Sequence, residues 1–366
     1  MKILSIFGTR PEAIKMAPVI AELNKHRDKL TSVVCVTAQH REMLDQVLTL
    51  FAIQPHYDLG IMQPNQSLAQ VTARALTKLD EVLEKENPDW ILVQGDTTTV
   101  MTAALAAFYR RIRVGHVEAG LRSFDKFQPF PEEINRKIAT SLSDLHFAPT
   151  AVSRQNLLRE GIADQQIVVT GNTVIDALLQ VAEKPYDWLN SPLAAIPRDK
   201  RILLVTAHRR ENFGAPFVNI CAALRTLAAG YPDIHIVYPV HLNPNVKSVV
   251  QSSLGDIQNI TLLEPLEYLP LVQLMKQSYL VITDSGGIQE EAPGLGKPVL
   301  VLREVTERPE GIAAGTVKLV GTDPGKIAYE ASLLLENQFE YEKMSQAVNP
   351  YGDGRASERI VSCLMT

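Results

Sequence analysis

Cysteine is scarce in this chain, with only Cys35, Cys221 and Cys363 among 366 residues. Their wide spacing and odd number form neither a disulfide framework nor a CxxC metal pair, and they suit a reducing compartment. HExxH is missing too, so no metal site is supported. No GxGxxG fingerprint and no Walker A run occurs. Chemistry through a bound nicotinamide is therefore unsupported, and no cofactor is expected. No apolar run has the length of a membrane span, and no signal-like segment follows Lys2, so a soluble cytoplasmic protein is expected. Positive charge is not in excess either. The 36 Lys and Arg against 41 Asp and Glu leave a net charge of −5, which argues against a dedicated nucleic-acid binder.

What is present is ordinary for a globular protein: 46% hydrophobic and 21% charged residues, in a chain long enough for two domains. Apolar runs at 3–7, 32–37, 90–93, 114–117 and 145–148 read as buried strands, and helix-like segments alternate with them. The pattern restarts at 201–206, 234–239, 260–263, 280–283 and 298–301. The first helix opens at Pro11, and Met16, Val19, Ile20 and Leu23 recur on one face. Residues 66–87 and 97–109 read as further helices, while 181–200, with three prolines, reads as a linker or irregular excursion. Repeated strand–helix alternation predicts an α/β protein of two Rossmann-like halves, each a parallel sheet flanked by helices. Ligands of such folds sit beyond the carboxyl ends of the strands.

Polar residues cluster at those ends. The stretch VITDSGGIQEE runs from a strand through Ser285, Gly286 and Gly287 into a helix bearing Glu290 and Glu291. Small residues there would let a phosphate reach helix N–H groups, and a carboxylate one turn in could accept sugar hydroxyls. The plainer alternative is a strand–helix turn capped by Ser285. FGTRPEAIK places Arg10 in the first turn and Lys15 one turn into the helix, either as phosphate cations or as solvated side chains. Asp96 in VQGDTTT follows a strand and reads as a functional acid or as an N-cap. Glu118 in GHVEAG stands at another strand end, in the expected place for catalysis, with a surface acid as the plainer alternative. Glu132 and Glu133 open a helix, where they suit the dipole and can pair with Arg136 and Lys137. His208 follows a strand in VTAHRREN beside Arg209 and reads as a functional or a structural histidine, and His241 lies in a second polar loop, PVHLNPNV.

Taken together, FGTRPEAIKMAPV, TAQHREMLDQ, GDTTT, GHVEAGLR, PFPEEINR, HRREN, HLNPNV, DSGGIQEEAP and NPYGDGRAS resemble the non-hydrolysing UDP-N-acetylglucosamine 2-epimerases over nearly the whole chain. The resemblance implies the two-domain glycosyltransferase-B fold, with the active site in the interdomain cleft. Its first domain would be 1–172 plus a returning helix at 351–366, its second 173–350, and the assembly a homodimer. It also implies reversible interconversion of UDP-N-acetylglucosamine and UDP-N-acetylmannosamine, by elimination of UDP to a 2-acetamidoglucal and re-addition, feeding cell-surface polysaccharides. By motif matching, Asp96, Glu118, Glu132 and His208 resemble the catalytic residues. Arg10, Lys15, Ser285, Gly286, Gly287, Glu291 and Arg308 match positions that hold UDP. Gln39, Gln46, Arg209 and His241 match a site for a second, activating UDP-N-acetylglucosamine. The chain departs from the family at Leu266, often Gln, and at Leu271, often a Phe that covers the uracil. Losing that face costs about 1 kcal/mol by analogy with aromatic pairs. Its SFDKFQPFPEE loop also differs. Competing readings are a hydrolysing epimerase, a glycosyltransferase on the same scaffold, and a sugar-nucleotide-binding regulator.

Overall fold

The structure, a computed structural model, describes residues 1–38, 41–63 and 65–366. The chain divides into two compact units, Met1–Ala177 with Tyr351–Thr366, and Leu178–Pro350. It passes between them twice, once inside the helix Thr173–Ala182 and once at Pro350–Tyr351.

Among the described residues, the first unit holds seven parallel strands: β1 (Lys2–Phe7), β2 (Thr31–Val36), β3 (Tyr57–Asp58), β4 (Trp90–Gln94), β5 (Arg113–Val117), β6 (Leu145–Ala148) and β7 (Ile167–Val169). Their order is β3-β2-β1-β4-β5-β6-β7. The chain winds outward from β1 in one direction and from β4 in the other, so the switch point lies between those two strands. The alternation of side chains along each strand sends Leu4, Ile6, Val33, Cys35, Ile91 and Val93 to one face. There they meet Val71, Ala75 and Leu79 of the helix Leu68–Glu86 and the alanines of the helix Thr98–Tyr109. The last helix, Ala356–Met365, packs on the helix Arg10–Lys25.

The second unit repeats the plan with β8 (Arg201–Thr206), β9 (Ile234–Pro239), β10 (Ile260–Leu263), β11 (Ser278–Thr283), β12 (Val299–Val301) and β13 (Val317–Leu319), in the order β10-β9-β8-β11-β12-β13. Its switch point lies between β8 and β11. Leu203, Val205, Ile236 and Tyr238 face one core, with the helix Ala215–Gly230. Ile202, Leu204, Val237 and Val281 face another. Leu193 and Ile196 of the irregular segment after residue 182 are buried in that second core, with Tyr186 and Trp188 packed against it. This proline-rich stretch is therefore irregular but not loose.

Two expected parallel-sheet halves are thus present, and ten strands lie within a few residues of their expected bounds. Three strands escaped the sequence: β3, β7 and β13. Each has two or three residues and lies at a sheet edge, too short to show a period of two.

Candidate functional site

The switch point of the first unit gathers a set of acids. Thr9 caps the helix Arg10–Lys25, and Glu12 reaches back to complete a capping box. One oxygen of Glu12 accepts the N–H groups of Gly8 and Thr9 at 2.8 and 2.7 Å. Its other oxygen accepts the Thr97 hydroxyl at 2.5 Å. Burial pushes the Glu12 carboxyl up, opposed by these hydrogen bonds. Glu12 thereby ties the loop after β1 to the loop after β4. It also fills N–H groups that an anion would otherwise use.

Glu118 follows β5 with φ +62°, a left-handed conformation that non-glycine residues rarely adopt. Its carboxylate is buried and receives donors from Lys15, Asn172 and Gln94. The Lys15 ammonium lies 2.6 Å from one oxygen and 2.8 Å from the other. Asn172 Nδ2 donates to Oε1 at 2.8 Å, and Gln94 Nε2 donates to Oε2. A Cβ added to Gly95 would lie 3.8 Å from Glu118 Oε2, so the carboxylate sits against the residue preceding Asp96. Neighbouring His116 is buried, with Nε2 bonded to the Gly95 carbonyl at 2.7 Å; burial holds its imidazole down at about 3, hence neutral.

Asp96 does not cap the helix that follows it; Thr97 occupies the N-cap position. Arg136 instead donates to Asp96 through Nη2 and to Glu133 through Nη1, the latter at 3.1 Å. Glu133 is fully buried and also accepts the N–H groups of Ser123 and Phe124, at 3.1 and 3.2 Å. Of the two helix-opening acids, then, Glu133 pairs with Arg136 and anchors the 121–125 loop. Glu132 is half-buried and has no ion pair or hydrogen bond to its carboxylate among the described residues. The structure thus gathers Asp96, Glu118 and the helix that starts at Glu132 around β4 and β5. Lys15 joins them as the partner of Glu118. Arg10 is half-buried in the first turn of its helix.

The second switch point is built differently. Ser285 precedes the helix Gly286–Gly294 but makes no side-chain cap, unlike Thr9. A Cβ at Gly286 would lie 3.6 Å from Glu307, 3.7 Å from an Arg209 nitrogen and 3.9 Å from the Arg308 guanidinium carbon. Two guanidinium groups therefore flank an uncapped helix N-terminus, an arrangement suited to a phosphate. Arg308 donates to buried Glu290. Glu291 is also buried and accepts the Tyr268 hydroxyl at 2.6 Å. Although burial pushes Glu307 up, hydrogen bonding within its own loop and the charges of Arg303 and Arg308 bring it to about 2.

Asp284, fully buried at the end of β11, organises the loop after β8. Its Oδ2 accepts the N–H groups of His208 and Arg209, both at 2.8 Å, and the Asn212 amide at 3.1 Å. Its Oδ1 has no hydrogen bond among the described residues and faces His208 Nδ1 at 3.6 Å. The His208 ring stacks on His241, with centroids 5.4 Å apart and planes at 12°. Burial pulls the His208 imidazole below its ordinary value, Asp284 opposes this, and His241 and Arg209 add to it.

Gln46 is exposed on the helix Arg41–Leu50, and Gln39 lies outside the described residues. Leu266 and Leu271 pack against the second unit's core. Sequence reasoning missed Glu12, Gln94, Asn172, Tyr268 and Asp284 as members of these sites. Glu12 carried a signal in the Thr9-x-x-Glu12 capping-box spacing, and Asp284 and Gln94 each stood at or beside a strand's carboxyl end next to an expected residue.

The family model described as UDP-N-acetylglucosamine 2-epimerase matches residues 21–365. A curated UDP-N-acetylglucosamine 2-epimerase of Escherichia coli K12 is 57% identical over 370 aligned positions, covering 100% of this chain and 98% of the relative. The solved Neisseria meningitidis UDP-GlcNAc 2-epimerase bound to UDP-GlcNAc is 53% identical, with a TM-score of 0.88 and coverage of 100% of both chains. The S. aureus MnaA–UDP co-structure is 50% identical with a TM-score of 0.86, covering 99% of this chain and 95% of that one.

Proposed function

This chain belongs to the UDP-N-acetylglucosamine 2-epimerase family, an isomerase family, and on that premise we propose that it inverts C2 of UDP-N-acetylglucosamine by elimination and re-addition of UDP. The C2 proton is not adjacent to a carbonyl, so simple enolisation cannot remove it. A carboxylate takes the proton from C2 while the C1–O bond breaks, and its electron pair leaves on the β-phosphate oxygen of UDP. The product is a 2-acetamidoglucal. The UDP oxygen then attacks C1 again, and a carboxyl returns a proton to C2 on the other face, giving UDP-N-acetylmannosamine.

The observation that carries this reading is the contrast between the two switch points. In the first unit, Asp96, Glu118 and Glu132 supply acids, while Glu12 occupies the N–H groups. In the second, the uncapped helix at Ser285–Gly287 is flanked by Arg209 and Arg308. We assign proton transfer to the first set and the UDP diphosphate to the second. Glu132 can exchange a proton without breaking an ion pair among the described residues; Asp96 and Glu118 begin paired with Arg136 and Lys15. Each positioned acid or base supplies about 10²–10⁴-fold. Asp284 faces His208 Nδ1 and would steady an imidazolium there, leaving Nε2–H for the departing UDP oxygen. Glu291, aimed by Tyr268, takes the ribose hydroxyls, and Arg10 adds a cation.

The same reading assigns a second UDP-N-acetylglucosamine to Gln39, Gln46, Arg209 and His241, where His241 would act on catalysis through its stack with His208. Homodimer formation and supply of cell-surface polysaccharide precursors complete it. The test is incubation with UDP-N-acetylglucosamine in D₂O without added metal or nicotinamide, followed by NMR. UDP-N-acetylmannosamine with deuterium at C2 is expected. Unlabelled C2 would remove the elimination route, and free N-acetylmannosamine as main product would indicate a hydrolysing enzyme.

A further inference from the structure

Asn172 links the acid set to the chain's returning segment. Its Nδ2 donates to Glu118 Oε1 at 2.8 Å, and its Oδ1 accepts the Val174 N–H at 3.1 Å. That second bond fixes which end of the amide faces Glu118. Its backbone N–H donates to the Tyr351 carbonyl at 2.6 Å. The residue is buried, and the glycines beside it pack tightly: a Cβ at Gly171 would lie 3.2 Å from the Gly352 Cα. Asn172 therefore stands where the returning C-terminal segment meets the body of the first unit, with its side chain on Glu118.

Glu118 needs such support. Its left-handed backbone is held only if its surroundings determine it. Lys15 supplies charge from the helix Arg10–Lys25, Gln94 an amide from β4, and neutral His116 lies two residues back on β5. Asn172 adds a donor without adding charge, from the turn between β7 and the helix Thr173–Ala182.

We propose that Asn172 is a positioning residue for the reaction: its amide orients the Glu118 carboxylate and links that orientation to the docked segment beginning at Tyr351. This rests on the 2-epimerase reading, in which Glu118 transfers a proton. An acid at position 172 would keep the acceptor for Val174 and put a second carboxylate against Glu118, and two such groups cannot both ionise freely.

The experiment compares pH profiles of kcat for the unmodified protein, Asn172→Asp, Asn172→Ala and Glu118→Gln, with UDP-N-acetylglucosamine as substrate. For Asn172→Asp, the acid limb is expected to move up by about one pH unit or more. For Asn172→Ala, kcat is expected to fall about tenfold with KM within about twofold. A merely structural residue would lower the folded fraction and leave the shape of the profile alone. An Asn172→Asp profile superimposed on the parent overturns the proposal. If that variant does not fold, an Asn172→Ala kcat within about twofold of the parent overturns it instead. An inactive parent, or a fully active Glu118→Gln, overturns the 2-epimerase reading of Glu118 itself, which separates the two failures.

Discussion

Lys15 grips both carboxylate oxygens of Glu118, at 2.6 and 2.8 Å, although 103 positions separate the two residues in sequence. The resemblance to known 2-epimerases assigns Lys15 to UDP, whereas this geometry gives it a carboxylate partner. The two roles separate kinetically. We predict that Lys15→Met lowers kcat by about 100-fold or more and leaves KM within a few-fold. It also strands a buried charge, which costs about 3 kcal/mol of stability in urea unfolding. A large rise in KM with kcat spared would instead assign the lysine to the phosphate.

His116 gives a stability signature in acid. Its folded-state value of about 3 lies below the ordinary 6.5. Between those values the unfolded chain binds a proton that the folded protein does not. The contribution is complete above pH 6.5 and is lost as pH falls toward 3, at about 1.4 kcal/mol per pH unit. Replacing His116 by Gln removes the titration. Urea denaturation of both proteins across this window should show a shallower acid decline for the variant, and equal slopes would refute the assignment.

Tyr268→Phe deletes the hydroxyl that bonds Glu291 Oε1 at 2.6 Å. If Glu291 holds the ribose, UDP binding should weaken about five- to tenfold, from loss of roughly 1 kcal/mol of orientation. Titration calorimetry with UDP measures it directly. Unchanged affinity would place the ribose elsewhere.

Gly120 has φ +89°, and a Cβ there would lie 2.3 Å from the Ser153 carbonyl oxygen. Backbone cannot yield as a flexible side chain does. Gly120→Ala should therefore destabilise by about 2–4 kcal/mol, combining the unfavourable φ with the clash. A thermal midpoint within a degree or two of the parent would contradict the close approach of Gly120 to the Ser153 carbonyl.

Long apolar runs made the fold legible, and the polar residues just past their ends marked the candidate sites. Asp96, Glu118 and His208 could be read because each stands just beyond a buried strand, where parallel sheets place ligands. Their supporting contacts could not. Asn172 meets Glu118 across 54 positions, Thr97 meets Glu12 across 85, and Tyr268 meets Glu291 across 23. No local pattern marks such pairs, because only the completed sheet order brings them together. Glu132 and Glu133 show the limit at short range: adjacent in sequence, one is fully buried and tied to Arg136, while the other keeps its carboxylate unpaired among the described residues.

Because Tyr351–Thr366 belongs to the first unit, the order of synthesis matters to it. A ribosome must complete the whole of Leu178–Pro350 before the Tyr351 carbonyl exists to receive the Asn172 N–H. Until then the helix Arg10–Lys25 also lacks the neighbour it packs on at Ala356–Met365. The half of the molecule that is made first is therefore the half that is finished last.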